Sequence, residues 1–105
     1  MQKFGDLEQK EIDRLKAKHG NVYQIIAKDE DGNEHYAYVT KPDLPIIQAA
    51  AATIDKDPVK ASIMIYKSVK LTASDTIEED DELKLSVVRK VGEIFQIREA
   101  DIKKL

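Results

Sequence analysis

Apolar and polar positions change their period several times along the chain, and each change marks an element. Near the start, Phe4, Leu7, Ile12 and Leu15 form a thin helical stripe amid charge, which predicts a surface helix over residues 7–19. Asp6 with Gln9 three residues on has the order of a capping box, and Gly20 supplies a left-handed stop. From Val22 the period falls to two. VYQIIAK and EHYAYVT flank DEDGN, so an antiparallel β-hairpin is expected over residues 22–40, with strands near 22–28 and 34–40. In the second strand Tyr36, Tyr38 and Thr40 alternate with His35, Ala37 and Val39, and the ring-bearing face is expected to cover a core.

Lys41-Pro42 closes the ladder, because proline cannot donate to it and holds the preceding residue extended. Asp43 then opens a helix in which Ile46, Ile47, Ala50, Ala51 and Ile54 recur at helical spacing. Asp57-Pro58 repeats the start signal, with Val59, Ile63, Met64 and Tyr66 expected inward. KLTASDTIEED reads as a connector, briefly extended at Lys70 to Thr72, before Asp80 or Asp81 caps ELKLSVVRKVGEIFQ. Leu83, Val87, Val88, Val91, Ile94 and Phe95 give that helix the broadest apolar face in the chain, and Gly92 marks a helix crossing. READIKKL predicts a short last helix offering Ile102 and Leu105. The fold class is therefore α+β: a mainly helical single domain, residues 1–105, with one N-terminal antiparallel β-hairpin and a helical part over 44–105. Its core is expected mostly from the helices beginning at Leu44, Pro58 and Glu82.

Composition narrows the function classes. Charged residues are 35% of the 105 and mixed in sign, with a net charge of -3, which disfavours a dedicated nucleic-acid binder. No run of 18 apolar residues exists, and MQKFGDLEQK has neither the apolar core of a signal peptide nor the acid-poor character of a transit peptide. A cytoplasmic location is expected, without membrane contact. Cysteine is absent, so disulfides, thiolate nucleophiles and zinc knuckles are excluded.

The chemical constellations fail one by one. Aligning Gly32 of DEDGN to the sixth position of a calcium loop puts Ala27 first and Tyr38 twelfth, where carboxylates are needed. His19 and His35 lack the second histidine or carboxylate at i+4 that a helical metal pair requires. Serines 62, 68, 74 and 86 lack a glycine-rich elbow, and the four scattered glycines build no phosphate cradle. The acidic run Glu78 to Glu82 suits a helix N-terminus, which leaves recognition of a basic partner as the lesser reading. Tyr23, Tyr36 and Tyr38 beside Lys28 and Lys41 hint at base stacking, but Asp29, Glu30, Asp31 and Glu34 repel phosphates. The tyrosines are expected at the core edge with their hydroxyls in water. No residue is assigned a catalytic, cofactor-binding or metal-binding role, and no cofactor is expected.

The order of parts carries one resemblance. A charged leading helix, then KHGNVYQIIAKDEDGNEHYAYVTKPD, an alanine-containing helix, DKDPVKASIMIYKSVKL and DTIEEDDELKLSVVRKVGEIFQIREADIKKL follow in succession. This arrangement, over about residues 10–105, resembles small phage and prophage proteins of the tail-assembly-chaperone type. The matching positions are Gly20, Tyr23, Gly32, Tyr36, Lys41, Pro42, Asp57, Pro58, Lys60, Ala61 and the cap formed by Asp80, Asp81 and Glu82, each with a local structural role as well. The resemblance implies a non-enzymatic protein that binds tape-measure helices during tail morphogenesis, by apolar contact in a helix-in-groove mode. Its contacts are expected among Ile46, Ile47, Met64, Ile65, Val69, Leu71 and Leu85. Alternatives are an oligomeric tail or head-tail component and a small bacterial regulatory adaptor. A hairpin edge and surplus apolar residues also invite homo-oligomerisation.

Overall fold

The computed structural model describes residues 2–94 and 100–105. Among them the elements run β1 (Lys3–Phe4), α1 (Gln9–His19), β2 (Tyr23–Lys28), β3 (Glu34–Val39), α2 (Leu44–Ile54), α3 (Pro58–Val69), β4 (Lys70–Ala73), α4 (Asp75–Glu79) and α5 (Asp81–Ile94). The fold is α+β, with a four-stranded mixed sheet built on β3. β2 lies antiparallel along one edge of β3, from Tyr23 opposite Val39 to Lys28 opposite Glu34. Two short strands share the other edge: β1 runs parallel beside Glu34 and His35, and β4 antiparallel beside Ala37 to Val39, with Leu71 bulged out. The sheet is thus larger than the two-stranded hairpin expected, because β1 and β4 are too short to show a period of two.

His35 through Val39 are all buried, so both faces of β3 are covered. On one face, Ala37 and Val39 join Ile25, Tyr66 and Val69, Ile77, and Leu83, Val87, Val88 and Val91 in the main core. Tyr36 and Tyr38 alternate with these and face the other side. There the Tyr38 hydroxyl accepts from the Leu7 N–H at 3.2 Å and from Gln24 Nε2 at 3.0 Å, and donates to Asp6 Oδ1 at 3.4 Å. The ring-bearing face is thus buried as expected, but the main core lies on the Ala37 and Val39 face, and the Tyr38 hydroxyl meets protein groups where water was expected. Short side chains at Ala37 and Val39 are what let the helices approach the sheet closely.

Local capping follows the sequence at three helix starts and fails at one. Asp43 accepts from the Ile46 N–H, Asp57 from Lys60, and Asp80 from Glu82 and Leu83. Asp6, however, is drawn to Tyr38, so α1 starts later than expected, with Glu8 at its N-cap and no side-chain cap bond. Gly20 does end it, at φ 79°.

The helical core also differs from expectation. Only Ala50 of α2 is buried, while Leu44, Ile47 and Ile54 are exposed, and α2 packs chiefly on α3. Val59, expected inward, is 54% exposed. The place expected for α2 goes to α4, within the segment read as a connector, whose Ile77 is fully buried. Residues 100–105 carry no helix, and Ile102 and Leu105 are fully exposed. The remainder of the expected last helix, and the inward orientation expected of Ile94 and Phe95, fall outside the described side chains. A Cα radius of gyration of 15.5 Å exceeds the ~13 Å of a compact chain this long.

Candidate functional site

Two places have the makings of a site: a polar clasp at one end of the sheet and an apolar surface on the helices. The clasp grows from the hairpin turn. Asp29 Oδ1 accepts from the N–H groups of Asp31 and Asn33, which fixes the turn around Gly32. Its other oxygen, Oδ2, lies 2.9 Å from His35 Nε2. An ionised carboxylate only accepts, so Nε2 carries the proton, and in the neutral ring Nδ1 accepts from the Ser74 hydroxyl at 3.1 Å. Phe4 stacks on the imidazole at 5.0 Å. The His35 hydrogen bond, seconded by the Asn33 and Asp31 N–H groups and opposed by burial, holds the Asp29 carboxyl below its usual range.

Serine, histidine and aspartate in line have the composition of a nucleophilic triad. Here the groups are committed elsewhere. Ser74 is 5% exposed, and its Oγ also accepts from the Ile77 N–H at 3.3 Å as the N-cap of α4. Its own N–H is bound to the Tyr36 carbonyl. The array joins the turn, β3, β1 and α4, and it acts as a structural clasp. Sequence reading passed over it because the partners of His35 come from both sides of the chain, one of them 39 residues away. A second polar knot ties α3, β4, α4 and α5: Tyr66 Oη donates to Glu78 Oε1 at 2.9 Å, Lys70 Nζ lies 3.0 Å from the same oxygen, and Lys84 Nζ lies 3.5 Å from Oε2. Burial pushes the Glu78 carboxyl up, but Lys70, Tyr66 and Lys84 together hold it below its ordinary value. Burial, with Glu78 beside it, pushes the Tyr66 phenol far up.

The two acidic stretches noted in the sequence meet around one open cleft of about 400 Å³, where Asp29, Glu30 and Asp31 face Asp80 and Glu82. Asp29 is spent on its turn and on His35, and Asp80 on capping α5. Among the described residues no cluster of histidines and carboxylates is arranged to hold a metal ion.

The apolar surface is of a different kind. LPIIQAAAATI carries no charge over the whole of α2, yet Leu44, Ile47 and Ile54 face outward. Beyond the turn into α3, Pro58, Val59 and Ser62 face Leu85, Val88 and Arg89 of α5 across a groove of about 270 Å³. Of the contacts expected from sequence, Ile47 and Leu85 are exposed, Ile46, Met64, Ile65 and Leu71 are half-buried, and Val69 is buried in the core. Leu44, Ile54 and Val59 were missed as surface residues, since an apolar period reports an apolar face and not what covers it. Among the described residues no helix is long and apolar enough to cross a membrane.

No protein-family profile matches the chain, and no curated protein matches it. Among solved structures it is similar to the uncharacterised protein rbstp2171 from Bacillus stearothermophilus, with a TM-score of 0.61 and 24% identity over 89% of this chain and 99% of that one. At that identity the likeness shows a shared fold.

Proposed function

We propose that this is a non-enzymatic binding protein of the tail-assembly-chaperone kind, acting in the bacterial cytoplasm to hold tape-measure helices soluble during phage tail morphogenesis. The observation that carries this reading is α2, an uncharged apolar helix whose Leu44, Ile47 and Ile54 stay exposed while the core closes without them. An apolar surface of this sort sheds water on contact with the apolar stripe of another helix, and the charged remainder of the molecule keeps the complex in solution. Co-expression with a tape-measure protein from the same phage, followed by pull-down and sedimentation, tests it. A soluble complex is expected. A tape measure that sediments alone, beside a folded and soluble partner, overturns the reading.

The same exposed helix also suits contact between copies of the chain, as in an oligomeric tail or head-tail component. Light scattering on the purified protein separates the two readings. A monomer or small oligomer that binds added tape-measure helices fits the chaperone, whereas a stable ring indifferent to them fits the structural component.

A further inference from the structure

Among the described residues that line the groove between α3 and α5, one is ionic. The walls are apolar or neutral at Pro58, Val59, Ser62, Leu85 and Val88, and Arg89 supplies the charge. The other cations of α5 are engaged: Lys84 with Glu78 at 3.5 Å, and Lys90 with Glu93 at 3.1 Å. Among the described residues Arg89 makes no ion pair. Among the described residues no carboxylate lines the groove, although the molecule as a whole is acidic. An arginine whose stem lies along apolar walls presents a planar fork to whatever enters, and that fork matches a carboxylate with two parallel hydrogen bonds.

We infer that this groove takes an amphipathic helix whose apolar face is flanked by glutamate or aspartate, with Arg89 selecting the acidic flank. The inference rests on the helix-binding reading above and narrows it to a partner chemistry. Val59 and Leu85 accept the apolar anchors. The guanidinium, partly shielded by the incoming helix, pairs with a carboxylate more strongly than it would in open water, and it repels a lysine at the same place.

Two synthetic amphipathic helices of about 18 residues test this, sharing one leucine face and flanked either by glutamate or by lysine. Titration against the whole protein is expected to show the acidic peptide binding about tenfold tighter or more, with Arg89→Glu reversing the order. Val59→Asp is expected to weaken both peptides. Equal affinity for the two, or a preference that Arg89→Glu leaves in place, overturns the role of Arg89 while helix docking stands. Binding of neither peptide overturns the groove as a docking site, and helix binding then rests on α2 alone, where co-expression with the tape measure tests it separately. Arg89 is exposed, so its variants retain the fold, and a circular-dichroism melt verifies this before titration.

Discussion

Gly5 lies where β1 ends against β3, directly over the bond from the Ser74 N–H to the Tyr36 carbonyl. Its φ is +78°, and a Cβ there would stand 2.9 Å from both Ser74 N and Tyr36 O. Only glycine fits such a conformation and so close an approach without strain. Gly5→Ala is expected to cost about 1–3 kcal/mol in urea denaturation, whereas Gly32→Ala meets no neighbouring atoms and bears the positive-φ cost alone. Nearby, Asp29 links stability to pH. Its folded carboxyl sits below the unfolded value of about 3.9, so the folded state binds that proton less readily. The contribution is fully present above about pH 4 and fades as pH falls through the lower folded value. Asp29→Asn should therefore flatten the acid limb of the stability curve between about pH 2 and 5 and leave its shape near pH 7 unchanged. An acid limb as steep as wild type would mean that other carboxylates carry it. Asp43, Asp57 and Gly20 were legible as caps because their partners lie within four residues along the chain. His35 was not, since what it touches is decided by where β4 delivers Ser74.

At the scale of elements, α5 is the most secure helix in both sequence and structure. Leu83, Val87, Val88 and Val91 are all buried on the face its periodicity marks. Val91→Asp puts a carboxylate into a fully buried site and should cost about 4 kcal/mol or more, read as a large fall in melting temperature. One position on, Gly92 has ordinary clearance, with Ser62 Oγ 3.6 Å from an added Cβ. Gly92→Ala is therefore expected to stabilise by about 0.5–1 kcal/mol through helix propensity, and a loss of stability would show that the α3–α5 crossing is tighter than this distance. α4 escaped notice because five residues are too few to display a helical period, although Ser74 caps it and Ile77 anchors it.

At the scale of the molecule, the division between core and surface runs through α2. Leu44→Asp or Ile54→Asp should leave the melting temperature within about the shift of a 0.5 kcal/mol change, since both residues are more than half exposed. The same variants should fail to keep a co-expressed tape measure soluble. Variants that melt early would instead place α2 in the stabilising core, and variants that hold the partner normally would move docking to another surface.

Residue order alone suffices wherever short-range forces decide. The caps at Asp43, Asp57 and Asp80, the hairpin turn at Gly32, the strand end at Pro42 and the apolar face of α5 all follow from backbone geometry and contacts within a few residues. The absence of cysteine likewise excludes thiol chemistry on composition alone. Tertiary structure decided which apolar faces are covered: two short strands complete the far edge of β3, and the small-residue face of that strand receives the helices. Ala50 alone of α2 is buried, leaving Leu44, Ile47 and Ile54 to water. Apolar character is a property of the residue, but burial depends on which distant segment arrives to displace the water.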